Sequence, residues 1–252
     1  MTDAVIVTVQ QQGILHLTLN RPGKKNALTG AMYQALTDAL NAAAKDAGVR
    51  VVVLSGSGSD FSAGNDINDF VAAINDPEKI RIPLGFLQCI STFPKPVVAA
   101  VSGVAIGIGT SMLLHCDLVY ADASARFQLP FTRMGLVPEG GTSLLLPSSL
   151  GHRKAFELLV LGEAFGAEQA VEVGLVNQCV EQGSVIDFAM DKARALASMG
   201  AEAVQQSKAM LKQHDDNRLQ SVLVSEVDAF AARLSSDEAR AAFMAFMQKP
   251  KK

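Results

Sequence analysis

The 252-residue chain has no tryptophan, two tyrosines and three cysteines, and only 19% of its residues are charged. The cysteines, Cys89, Cys116 and Cys179, are odd in number, far apart and set in or beside apolar segments. They read as free buried thiols and not as a disulfide framework. No apolar run approaches the roughly 18 residues needed to cross a bilayer. Met1-Thr2-Asp3 also lacks the basic region of a secretory leader, so a cytoplasmic protein without a membrane span is expected. The formal net charge is −3, and no basic stretch is longer than the Lys249 to Lys252 tail, which argues against a nucleic-acid partner. Nucleotide signatures are missing too. Gly56 to Phe61 and Gly107 to Met112 both lack the third glycine of a dinucleotide fingerprint, and neither carries a P-loop lysine. There is no G-x-S-x-G elbow, and His16, His115, His152 and His214 form no recognisable ligand set, so no metal is expected.

Apolar residues, by contrast, make up 49% of the chain, enough for one domain of about 250 residues with a sizeable core. Val5 to Val9 and Ile14 to Leu19 flank Gln10-Gln11-Gln12-Gly13 in the pattern of an antiparallel hairpin. Thr29 is a candidate N-cap for a helix burying Met32, Leu36, Leu40 and Ala43. Val51 to Leu54, Val97 to Val101 and Leu118 to Ala121 are short continuous apolar runs that suit parallel strands covered on both faces. A short helix is expected near Leu84, Leu87 and Ile90, in a stretch from Asn75 to Pro96 that would shape the ligand pocket. Beyond Glu139 the pattern becomes helical: Ala155 to Leu161, Ala167 to Val173, a strand at Leu175 to Val180, and a helix from Ser184 to about Met199. The last fifty residues read as helices, with a Ser235-x-x-Glu238 capping box opening the final one. Their apolar faces suit either core packing or subunit contact. The class is α/β with a helical C-terminal extension.

Three segments place glycine or polar backbone directly after a buried strand, where α/β folds build their sites. Phe61-Ser62-Ala63-Gly64-Asn65-Asp66-Ile67 follows the strand at Val51 to Leu54, with a helix expected near Asp66. Ser102 to Gly109 follows Val97 to Val101 and leads into a helix through Met112. One backbone N–H from each could form an oxyanion hole, or both could simply be tight turns that need glycine. Leu136-Val137-Pro138-Glu139-Gly140-Gly141-Thr142-Ser143 holds a lone acid among apolar and glycine neighbours. If buried, Glu139 would have the raised pKa that suits a general base near neutrality, although an acid at a helix start is also favoured by the dipole alone.

Asn20-Arg21-Pro22 with Asn26-Ala27-Leu28, then Phe61 to Ile67, Lys95 to Gly103 and Ala170-x₃-Gly174-Leu175-Val176, occur in an order that resembles the enoyl-CoA hydratase/isomerase (crotonase) superfamily. The resemblance covers nearly the whole chain. It implies a crotonase-like ββα spiral core with the active site in residues 1–195, and a C-terminal helical trimerisation region in 196–252. It also implies homotrimers or hexamers acting on acyl-CoA thioesters, with no cofactor because coenzyme A is part of the substrate. Carried over by position, the oxyanion hole falls on the N–H groups of Asn65 and Ile108, which leaves the Asn65 side chain secondary. The coenzyme A site falls on Lys24 and Lys25 beside Gly23, and on Ala63, Gly64, Asp66, Ile67 and Gly107.

One departure from the family pattern bears on the reaction. The hydratase subgroup carries two glutamates where this chain has Ser111 and Phe131, so ordinary hydration is expected to be weak or absent. Glu139 instead falls where Δ3,Δ2-enoyl-CoA isomerases similar to the peroxisomal type carry their single glutamate, and Phe131 would help exclude water. The resemblance therefore implies an isomerase with Glu139 as its base. A ring-bearing or branched acyl group, or a non-catalytic acyl-CoA binder, is the alternative, and normal titration of Glu139 would favour the binder.

Overall fold

The computed structural model describes residues 6–69, 76–213 and 216–248. Its elements in chain order are β1 (Ile6–Gln11), β2 (Ile14–Leu19), α1 (Gly30–Lys45), β3 (Val51–Gly56), α2 (Pro77–Ile80), α3 (Ile82–Ser91), β4 (Val97–Val101), β5 (Val104–Ile106) and α4 (Ile108–Ser111). Then come β6 (Leu118–Asp122), β7 (Arg126–Gln128), α5 (Thr142–Leu150), α6 (His152–Phe156), β8 (Phe165–Gly166), α7 (Ala167–Glu172) and β9 (Gln178–Val180). Helices α8 (Val185–Ser198), α9 (Ala201–Lys212), α10 (Asp216–Leu234) and α11 (Asp237–Met247) close the chain.

The hairpin and the apolar runs form one six-stranded sheet in the order β1-β2-β3-β4-β6-β9, in which only β1 runs antiparallel to its neighbour. Both faces are covered, as the unbroken apolar runs require. Leu17, Leu19, Val52, Leu54, Ala99 and Val101 face the main core with the buried stripe of α1 and with α3. The alternate residues Val51, Val53, Val98 and Ala100 pack against Val185, Ala189 and Ala193 of α8. A second, three-stranded sheet is ordered β5-β7-β8. Helix α1 starts where expected, because Thr29 accepts a hydrogen bond from the Met32 N–H at 3.3 Å.

Three local expectations are corrected. The strand expected from Leu175 begins only at Gln178, because the N–H groups of Leu175 and Val176 both turn back to the Ala170 carbonyl and close α7. The helix expected from Ala155 begins at His152 and widens into a π turn over Glu157–Leu161. The cap of the last helix is Ser236, whose hydroxyl accepts from the Ala239 N–H at 3.2 Å, while Glu238 pairs with Arg233.

The C-terminal helices are part of the fold. Leu219, Leu223 and Val227 of α10 join the main core, and Phe230, Leu234, Ala239 and Phe243 build a second cluster with Leu129, Phe131 and Leu136. Among the described residues, no helix is long and apolar enough to cross a membrane. Asn75, at the start of the stretch expected to shape the pocket, lies outside the described residues; the helix expected beyond it is α3.

Candidate active site

Residues 61–66 run between two backbone neighbours. On one side the Leu28 N–H donates to the Gly64 carbonyl at 2.7 Å and the Asp66 N–H to the Leu28 carbonyl at 2.8 Å. On the other, the Ser62 N–H donates to the Val104 carbonyl at 2.9 Å and the Ile106 N–H to the Ser62 carbonyl at 3.0 Å. Within the parallel pairing of Leu28 and Asn65, the Asn65 N–H points away from its neighbour and meets no acceptor among the described residues. Ile108 is the first residue of α4, so its N–H has no intrahelical partner either. Gly64 makes this close approach possible: its φ is +90°, and a Cβ there would lie 2.7 Å from the Ile106 carbonyl oxygen.

Glu139 sits opposite, on the loop before α5, with 6% of its surface exposed. The loop is held at three points. The Thr142 hydroxyl donates to the Glu139 carbonyl at 2.9 Å, the His115 Nε2–H donates to the Gly140 carbonyl at 2.9 Å, and Glu226 of α10 accepts from the N–H groups of Gly141 (2.6 Å) and Ser143 (2.9 Å). Burial, and then the negative charge of Glu226, push the Glu139 carboxyl up to about 8. The buried His115 is pushed down to about 4 by desolvation, so its ring is neutral at physiological pH.

Two cavities meet at Glu139. One, of about 340 Å³, is lined by Lys24, Ala63, Gly64, Asn65, Asp66, Ile67, Gly107, Ile108, Phe131 and Glu139, together with Phe230 and Phe243 of the C-terminal helices. The other, of about 470 Å³, has largely apolar walls that include Leu28, Ala31, Tyr33, Ile82, Pro83 and Val227. They share Asn65, Asp66, Glu139 and Phe230. A ligand reaching from one to the other would pass the carboxyl.

Of the site residues expected from sequence, the structure gathers all but Lys25 around one cavity. Lys25 is exposed, and it contributes through its carbonyl, which accepts from the Ala63 N–H at 2.8 Å. Asp66 is on the wall, but its charge is committed: both terminal nitrogens of Arg21 lie 3.1 Å from its Oδ2, and its Oδ1 accepts from the Asn68 N–H at 2.9 Å. Asp69 accepts from the Gly30 N–H at 2.9 Å. Glu139 is thus the one acid of these two cavities, among the described residues, whose carboxylate meets neither a cation nor a backbone donor. Ser111 is fully buried and bonds back to the Gly107 carbonyl at 3.1 Å.

Three features depart from the sequence reading. The Asn65 side chain is not secondary: the Tyr33 hydroxyl donates to its Oδ1, and its Nδ2 lies 3.5 Å from Oε1 of Glu139. His115, read as plain core, supports the Glu139 loop. The site is not confined to residues 1–195, since Val227, Phe230 and Phe243 complete its walls. A signal for Glu226 was present in the sequence, as a lone acid on the stripe of Leu219, Val222, Leu223, Val227 and Phe230.

Fold and site together define an enzyme whose cavity is lined by two free backbone donors and by one buried carboxyl that meets neither a cation nor a backbone donor. The family model described as enoyl-CoA hydratase/isomerase matches residues 9–252, and the chain belongs to this family, the crotonase superfamily. It is 34% identical to 2,3-dehydroadipyl-CoA hydratase of Escherichia coli, over 97% of this chain and 96% of that one. It is 32% identical to human enoyl-CoA delta isomerase 2, over 98% of this chain but only 64% of that longer protein. The solved structure of Pseudomonas aeruginosa OdaA superposes with a TM-score of 0.93 at 44% identity, covering 97% of this chain and 99% of that one. The chain is therefore an acyl-CoA enzyme of crotonase fold, with relatives that carry out both hydration and isomerisation.

Proposed function

We propose that the protein is a Δ3,Δ2-enoyl-CoA isomerase. The observation that carries this reading is the single uncommitted carboxyl, Glu139, at the junction of the two cavities. As a carboxylate, Glu139 takes a proton from C2 of a 3-enoyl thioester. The C2–H electron pair becomes part of a dienolate whose oxygen accepts hydrogen bonds from the N–H groups of Asn65 and Ile108. Protonation at C4 by the same carboxyl uses the C3=C4 pair, re-forms the thioester carbonyl and leaves the double bond at C2=C3. One acid suffices because the proton returns to the same substrate. Coenzyme A enters as part of the substrate, along the wall of Lys24, Ala63, Gly64 and Ile67, and no separate cofactor is required.

Addition of water needs a second group to hold and activate it. Ser111 is too short and already bonded to Gly107, while Phe131 is buried and apolar, so both favour reprotonation over hydration. The raised pKa of Glu139 weighs against the non-catalytic binder. Exposed Phe156, Leu161, Leu211 and Met244 support the self-association that the family resemblance implies. The test is to supply trans-3-hexenoyl-CoA and trans-2-hexenoyl-CoA separately. Conversion of the first to the 2-enoyl thioester, with little hydration of the second, is expected. Rapid hydration of the second would contradict the assignment.

A further inference from the structure

Helix α10 carries one buried acid on an otherwise apolar stripe, and that acid is aimed at the loop of Glu139. Both oxygens of Glu226 accept backbone N–H groups, from Gly141 at 2.6 Å and from Ser143 at 2.9 Å. Burial raises the Glu226 carboxyl and these donors pull it back down by favouring the charged form, and the shorter contact is of charge-assisted length. These donors are the free N–H groups at the start of α5, so Glu226 caps that helix from 83 and 85 residues away in sequence. Gly140 and Gly141 both have φ of +77°, a backbone path that needs such an anchor to stay fixed. Only Gly140 separates Glu139 from the first anchored N–H, so the loop is held from the far side by the C-terminal region.

The geometry points to Glu226 as a positioning residue: it fixes the loop that presents Glu139 and brings a second buried carboxyl to that loop, against which Glu139 must ionise. The catalytic part of this inference rests on Glu139 being the base proposed above. Its electrostatic part does not.

Among the described residues, Lys24 and Lys79 also line these cavities, Lys24 exposed and Lys79 paired with Asp76 at 3.6 Å, and the other polar groups are engaged. Tyr33 of α1 bonds Asn65, Asp66 is paired with Arg21, and Asp69 caps Gly30. His115 holds the Gly140 carbonyl while the Lys212 ammonium lies 3.2 Å from the His115 carbonyl. Asp228 of α10 pairs with Arg81 before α3. Helix α5 itself carries no titratable side chain. Glu226 is accordingly the partner whose removal changes the field at Glu139 most, in the direction already seen in the raised pKa.

The experiment is a carboxyl titration of the full chain by NMR with ¹³C-labelled glutamate, in the wild type, Glu226→Gln and Glu139→Gln. The two substitutions assign each other's signals. Glu226→Gln keeps the size and one acceptor but removes the charge. The Glu139 midpoint should fall by about one pH unit or more. The acid limb of kcat/KM for trans-3-hexenoyl-CoA should move down with it, which a merely structural cap would not cause. An unchanged Glu139 midpoint in folded Glu226→Gln overturns the inference. If no variant isomerises the substrate, the isomerase reading fails while the titration still decides this one. If Glu226→Gln does not fold, the reciprocal measurement decides: the Glu226 midpoint should fall by the same amount in Glu139→Gln, and no fall overturns the coupling.

Discussion

The hydroxyl of Tyr33 donates to Oδ1 of Asn65, and this bond decides which way the Asn65 amide faces. With the oxygen engaged, the amide nitrogen is turned toward Glu139 and lies 3.5 Å from its Oε1. At that length the contact is marginal in the free enzyme, and it would strengthen as the carboxyl ionises.

Tyr33→Phe removes the hydroxyl while keeping the ring that packs 5.7 Å from Phe86. The amide is then free to flip away from Glu139, and kcat is expected to fall by about 10- to 10²-fold with a smaller change in KM, since the Asn65–Glu139 bond that is lost is to a charged group and such bonds are worth roughly 1.5–3 kcal/mol. Steady-state kinetics on a 3-enoyl-CoA checks this. An unaltered kcat would mean that the Asn65 orientation is set elsewhere.

Gly64→Ala tests the donor geometry. Its Cβ would meet the Ile106 carbonyl oxygen at 2.7 Å, and φ there is +90°, so the segment must shift and carry the Asn65 N–H with it. Loss of one oxyanion donor costs about 10²–10³ in kcat. A drop of that order with folded protein by circular dichroism is expected, and near-normal turnover would argue that the Asn65 N–H is not a donor to the enolate.

Glu139 also links stability to pH. Its folded pKa, about 8, is raised above the ordinary 4.5, so the folded state holds this proton more tightly than the unfolded state. That contribution is fully present below about 4.5 and is lost as pH rises through 8, at a slope of up to about 1.4 kcal/mol per pH unit for one group. Glu139→Gln cannot ionise, so its stability relative to the wild type should increase between pH 5 and 9 in chemical denaturation. Parallel curves over that range would show that Glu139 titrates normally.

Much of the fold is legible in the sequence because local signals agree with the global packing there. Thr29 caps α1, and Val51 to Leu54, Val97 to Val101 and Leu118 to Ala121 are apolar on both faces because the sheet is covered on both. The hairpin and the donor segments follow from alternation and from glycine placed after strands. What escapes is whatever depends on distant elements. The turn-back of Leu175 and Val176 onto Ala170 is decided by helix closure, which apolar periodicity cannot distinguish from a strand. Lys25 and Asp66 look alike as polar neighbours of a site, yet one is exposed and the other is neutralised by Arg21. Tyr33 and Glu226 each sit on apolar helix stripes, and only the tertiary fold brings them to Asn65 and Gly141.

The central claim is that Glu139 is the base of an isomerase, and the most direct measurement compares wild type with Glu139→Gln on trans-3-hexenoyl-CoA at saturating substrate. Formation of the 2-enoyl thioester should collapse by about 10²-fold or more, with binding of the thioester retained. Turnover within a few-fold of wild type in Glu139→Gln would contradict it.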